Sequence, residues 1–183
     1  MLLSHYPKEI QLKDGTSVIL RPMTRSDEGA LLDFFTSLTD EDRLYTRSDV
    51  ANVRVVRSWF DQIDYQRVFP LLAVSGDEIV GDATLHRKPY SWMRHMGGIR
   101  IIVAPDYRKL GLARILADEL IENAVDEGLE RLTADVVVDQ DIAIEVFTRL
   151  GFRKEATLKD YVLDAEDVKH DLVMMTKDIG EQS

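Results

Sequence analysis

The run IRIIVAPDYRKLGLAR, Ile99 to Arg114, joins an apolar strand to a helix through a short basic turn. Ile99 to Val103 is an apolar run that reads as a strand. Arg108, Lys109, Leu110, Gly111, Leu112 and Ala113 follow, with a helical run opening at Gly111. In such a turn several backbone N–H groups point the same way, and the new helix adds the positive end of its dipole. Gly111 lets an anionic group approach the backbone closely, Ala113 keeps the third position small, and Arg108, Lys109 and Arg114 add positive charge. Each charge-assisted hydrogen bond to an anion contributes roughly 1.5 to 3 kcal/mol. Spacing excludes two other phosphate loops, because neither G-x-x-x-x-G-K-S/T nor G-x-G-x-x-G is present after the strand.

Outward from this turn, the pattern predicts alternating strands and helices. Towards the N-terminus, Glu9–Leu12 and Ser17–Leu20 read as a hairpin about Lys13-Asp14-Gly15. Thr24 or Ser26 then caps a helix carrying Ala30, Leu31, Phe34, Phe35 and Leu38, and an interrupted, more polar helical region covers Asp40 to Phe60. Pro70–Val74 and Ile79–Leu85 form a second hairpin, and a loop with Tyr90, Trp92, Met93 and His95 leads into the central strand. Towards the C-terminus, Leu112, Ile115, Leu116, Leu120, Ala124 and Val125 give one helical face stopped near Gly128. Leu132–Val138 is a near-continuous apolar strand, Ile142 to Leu150 a helix stopped by Gly151, and Phe152–Tyr161 and Lys169–Met175 two closing strands. These elements imply one mixed α/β domain over residues 1–183, without repeat or linker.

The chain has 183 residues, 45% hydrophobic and 31% charged, which allows one domain with a substantial core. It has no cysteine, which excludes disulfides, thiolate metal ligands and a thiol nucleophile. His5, Pro7, Lys8 and Glu9 do not compose a signal peptide, and no apolar run reaches the length of a membrane span, so a soluble cytoplasmic protein is expected. A formal charge of −10 argues against nucleic acid as a partner and favours a cationic one, such as a polyamine, an aminoglycoside or a lysine-rich protein surface. The four histidines show no zinc spacing and no D-x-D-x-D-G calcium loop is present, so no metal is expected.

The basic turn resembles the R/Q-x-x-G-x-G/A loop with which the GCN5-related N-acetyltransferase (GNAT) family holds the diphosphate of acetyl-CoA. Val103, Ala104, Pro105, Asp106 and Tyr107 resemble the family's V-x-P-x-Y lead-in, and Leu150, Gly151 and Phe152 its L-G-F close. The opening from Lys13 through Arg43 resembles, more loosely, the D-G-x-x-V-x-x-R-P start of bacterial protein lysine acetyltransferase domains. The resemblance implies a mixed, mostly antiparallel sheet of about six or seven strands flanked by about four helices. It also implies acetyl transfer from acetyl-CoA to a primary amine of a small molecule, a protein lysine or an N-terminus. Arg108, Lys109, Leu110, Gly111, Leu112, Ala113 and Arg114 would then hold the diphosphate, and the backbone of Ile101, Ile102 and Val103 the pantetheine arm.

The family pattern N-x-x-A-x-x-L-Y-x-x-L-G-F lies over Gln140 to Phe152, with Gln140 at the asparagine position and Phe147 at that of the tyrosine that protonates the departing thiolate. Phe147 has no hydroxyl, which leaves a catalytically weak or inactive CoA-binding sensor as the alternative function. Tyr161 is a second source of that proton or a packed strand aromatic. Where some family members carry a glutamate early on the central strand, this chain reads Met96, Gly97, Gly98. Asp135, at the position where others place an acid on the next strand, is the first choice of base or a structural carboxylate; His86, His95 and Asp82 are further candidates. Tyr90 and Trp92 line an acceptor pocket, join the core or form an oligomer contact. A strand edge near the C-terminus leaves room for a homodimer.

Overall fold

A computed structural model of the protein describes residues 5–39, 42–43, 46, 50, 52–61, 63–164 and 166–180. In chain order its elements are β1 (Lys8–Gln11), β2 (Ser17–Pro22), α1 (Glu28–Ser37), α2 (Val53–Asp61), β3 (Val68–Ser75), β4 (Glu78–Arg87), β5 (Met96–Val103), α3 (Leu112–Asp126), β6 (Arg131–Val137), α4 (Asp141–Arg149), β7 (Arg153–Leu163) and β8 (Lys169–Asp178). All eight strands form one sheet in the order β1-β2-β3-β4-β5-β6-β8-β7. The fold is therefore mixed α/β, with a mostly antiparallel sheet and four α-helices among the described residues. The eight strands match the eight extended runs read along the chain and exceed the six or seven that the family resemblance implies, because both arms of the first hairpin and both of the last are paired into the sheet.

Strand alternation sends two sets of side chains to two cores. One face buries Leu85, Ile99, Leu132, Ala134 and Val136 with Leu112, Leu116 and Leu120 of α3 and Phe147 of α4. The other carries Leu72, Val74 and Ile79 against Phe34 and Phe35 of α1 and Val56 and Phe60 of α2. The start of α1 differs from expectation. Thr24 caps a single 3-10 turn, Arg25–Asp27, and the α-helix begins at Glu28. Asp27 is buried, which by itself raises its carboxyl. Arg21 Nη1 and Nη2 donate to it at 2.8 and 2.6 Å and Thr24 donates through its N–H at 2.7 Å, which together hold the carboxyl below its ordinary range. Part of the polar helical region expected over Asp40–Phe60 lies outside the described residues; within them it becomes α2.

One junction in the sheet decides where a ligand can enter. β5 and β6 are parallel, and they pair only at Met96↔Arg131, Gly97↔Leu132 and Gly98↔Thr133. Beyond those residues β5 continues to Val103 on β4 alone, while β6 continues to Val137 on β8 alone. The middle of the sheet therefore parts into a wedge with facing strand rims, open towards the end of β5 where the basic turn begins.

Candidate active site

The turn at the mouth of the wedge is built from backbone. Lys109 and Gly111 both have left-handed conformations, φ 63 and 93, with the helix opening at Leu112. A non-glycine residue in that region costs on the order of 1 kcal/mol, and such strain concentrates where backbone groups must be aimed. The arrangement turns successive N–H groups into a concave nest at the positive end of α3. Among the described residues no hydrogen bond engages the amides from Lys109 to Arg114; Ile115 N–H, one residue further, donates to Gly111 O at 3.2 Å.

The cations around the nest are disposed differently from their sequence reading. Arg108 donates through Nε to Val103 O at 3.2 Å and pairs with Asp42 at 2.7 Å. Burial raises the Asp42 carboxyl, but hydrogen bonds from Arg108 and Thr39 outweigh it and hold the group below its usual range. Arg114 points along its own helix to Asp118 at 3.7 Å, an exposed pair of little energy. Lys109 makes no ion pair among the described residues. Sequence reasoning missed Lys13: its N–H donates to Leu110 O at 3.2 Å, and its Cε lies 3.5 Å from where a Cβ on Gly111 would stand. No local signal marks this contact, which exists because the β1–β2 turn folds back against the loop.

Ile101 is half-buried against the α3 face and Ile102 against the α1 face, so what their strand presents to the wedge is backbone. Leu112, expected among the cofactor-binding residues, buries its side chain in the core and offers the nest only its N–H. Gln140 is the half-buried N-cap of α4, its N–H donating to Val137 O at 3.0 Å. Phe147, expected to line the cofactor site, is a core residue instead, 8% exposed and edge-to-face with Phe152 at 5.2 Å. An aromatic ring lacking a polar handle gains more from that packing than from a wet cleft.

Asp135 alternates out of the apolar face of β6 and is half-buried on the stretch of β6 that β5 has left. The register 98↔133, continued two places, sets it across the wedge from Arg100. Arg100 is itself occupied: Nη2 binds Asp82 at 2.9 Å, and the guanidinium stacks on Trp59 at 5.6 Å. Asp82 is 2% exposed, and burial pushes its carboxyl up against the pull of Arg100 and Thr84. His86 is exposed on β4, with its Cβ beside Gly98.

Of the two glycines where a glutamate was sought, packing excludes a side chain only at Gly97. A Cβ on Gly97 would meet leucine methyls of Leu129 and Leu85 at 2.8 Å, whereas one on Gly98 would meet nothing closer than Thr133 Oγ1 at 3.5 Å. Tyr161 is 63% exposed on the edge strand β7, with β8 between it and β6. Tyr90 and Trp92 are each 88% exposed in the turn before β5, which excludes them from the core. That turn lies at the opposite end of β5 from the nest, about 23 Å away at strand rise. Among the described residues no group of metal-binding side chains occurs, and no helix is long and apolar enough to cross a membrane.

Comparison with known proteins agrees with this geometry. A family model described as the acetyltransferase (GNAT) family matches residues 32–152. A curated relative, the ribosomal protein bS18-alanine N-acetyltransferase of Escherichia coli strain K12, is 33% identical over 80 residues, 44% of this chain and 53% of the relative. The chain thus spans about half the length of the curated relatives it matches. Among solved structures, the GNAT domain of S. lividans PAT superposes with a TM-score of 0.81 at 20% identity, covering 96% of this chain and 98% of that one. A putative acetyltransferase from Salmonella typhimurium, solved with its cofactor acetyl-CoA, superposes with a TM-score of 0.75 at 18% identity over 91% of this chain and 96% of its own. At these identities the likeness concerns the fold.

Proposed function

The chain belongs to the GNAT acetyltransferase family, and from that premise we propose that it transfers the acetyl group of acetyl-CoA to an amine by direct attack. The observation that carries the reading is the wedge between β5 and β6, ending at a nest of unengaged amides. The amides of Lys109 to Arg114 receive the diphosphate, and the parted rims of β5 and β6 receive the pantetheine arm as an added strand would be received. The thioester then lies between the strands, close to the face that carries Asp135.

The amine nitrogen attacks the thioester carbonyl carbon, the C–S bond breaks, and the sulfur leaves as a thiolate that takes up a proton. A strand N–H at the open rim of β5 stabilises the charge growing on the carbonyl oxygen. A thiol of pKa near 8.5 leaves tolerably at neutral pH, which is consistent with phenylalanine at 147. The amine must be neutral to attack. At pH 7 that costs about 4.6 kcal/mol for a lysine side chain but only about 1 kcal/mol for a protein N-terminus. With a single half-buried carboxylate as base, the α-amine is the easier acceptor, and the ribosomal protein alanine acetyltransferases among the curated relatives point the same way. The acidic molecule favours acceptors carrying positive charge next to that amine.

Thiol release from acetyl-CoA, measured against peptides with free N-termini and against N-blocked lysine peptides, tests the reading. The expected result is turnover with the former, and a fall in kcat of roughly 10²- to 10⁴-fold in Asp135→Asn. Tight binding of acetyl-CoA without turnover of any amine would make the protein a CoA sensor instead.

A further inference from the structure

Of the three basic residues in or beside the loop, Lys109 alone makes no ion pair among the described residues. Arg108 is committed to Asp42 and Val103 O, and Arg114 to Asp118, so two of the three basic residues in or beside the loop are already paired. A diphosphate brings at least two negative charges to this spot. Backbone amides alone satisfy its oxygens without neutralising it.

Lys13 comes to the loop from the other end of the chain. Gly15, at φ 87, closes the tight β1–β2 turn. The Asp14 carboxylate is bound to the N–H and hydroxyl of Thr16, at 3.0 and 2.9 Å, and so is turned onto its own turn. The Lys13 N–H bond to Leu110 O seats the turn on the loop, and the lysine stem lies over Gly111, with Cε, Cγ and Cδ at 3.5, 3.8 and 3.9 Å from the position of an added Cβ. The ammonium is one bond beyond Cε, on an exposed residue, and among the described residues it has no carboxylate partner. Gly111 supplies the left-handed backbone at φ 93, and the lysine stem lies over it at ordinary contact distance.

We propose that Lys13 is a phosphoryl-binding residue, the cation that closes the outer side of the nest over a phosphate of the nucleotide handle. The proposal rests on the acetyl-CoA reading above and adds to it an element, the β1–β2 turn, that lies outside the loop and outside the 32–152 family match. CoA offers two such phosphates, the diphosphate and the ribose 3′-phosphate, and the same ammonium chemistry serves either.

Calorimetric titration of the full chain with acetyl-CoA and with acetyl-dephospho-CoA, which lacks the 3′-phosphate, tests it. Lys13→Met keeps the stem and the backbone bond to Leu110 while removing the charge. It is expected to weaken acetyl-CoA roughly ten- to a hundredfold with an unchanged melting temperature, and Lys13→Arg to recover most of that loss. An equal loss with both ligands identifies the diphosphate as the partner; a loss confined to acetyl-CoA identifies the 3′-phosphate. Wild-type affinity in Lys13→Met overturns the Lys13 assignment alone. Failure of the unaltered chain to bind acetyl-CoA overturns the reading beneath it.

Discussion

Gly97 and Gly98 are adjacent and chemically identical, yet the sheet treats them oppositely. Gly97 faces the α3 core, where an added methyl would press on two leucines at 2.8 Å, while Gly98 faces the opposite side of the sheet with ordinary clearance. Gly97→Ala is therefore expected to destabilise the fold by about 1–3 kcal/mol through overpacking, and Gly98→Ala to stay within about 1 kcal/mol of the parent. Urea unfolding midpoints for the two variants check this, and a reversed order would contradict the assigned faces. The pair also shows what could be read from sequence at this scale. The absence of a glutamate was visible, but which face each glycine takes depends on strand register. Phe147 is similar: the lost hydroxyl is legible in the chain, whereas the direction of the ring is set by Phe152 across the helix end.

Among elements, the hairpin of β7 and β8 is tied down by a charged clasp. His170 Nδ1 meets Asp139 at 2.7 Å and Nε2 meets Asp164 at 2.8 Å, joining β8 to the turn before α4 and to the turn between β7 and β8. With a carboxylate on each ring nitrogen, the doubly protonated imidazolium is favoured. The hydrogen bonds from Asp164 and then Asp139 hold the His170 pKa above its ordinary value. The folded pKa is the higher one, so the clasp contributes in full below the unfolded value of about 6.5 and its contribution is lost as pH rises through the folded value. Thermal unfolding of the parent is expected to show this decline on the alkaline side, and His170→Gln to flatten it; a parallel slope in both proteins would show that the clasp carries no linkage. Sequence periodicity located both strands and the helix, since each has a clean apolar rhythm. It could not locate the clasp or the Arg108–Asp42 pair, which join residues far apart in the chain through polar groups that follow no period.

Across the whole molecule, the order of elements was legible because the apolar runs and glycine stops fall in a strand–turn–helix–strand sequence with few alternatives. The eight extended runs were legible too, but their spatial order was not, because a short hairpin arm at the margin joins a sheet only where a neighbour is there to pair with it. The wedge was beyond reach as well: nothing in Ile99–Val103 or Ala134–Val137 distinguishes strands that pair from strands that separate. Its presence has a dynamic consequence. In most sheets the innermost strands shed deuterium last and the margins first. Here the facing rims of Ile99–Val103 and Ala134–Val137 are unpaired with each other at the heart of the sheet, directly after the third and last residue pair that β5 and β6 share. Hydrogen exchange should therefore run inside out, with amides on those inner rims exchanging early while β3 and β4 stay protected. Saturating acetyl-CoA should silence that early exchange by supplying the partner the two rims lack.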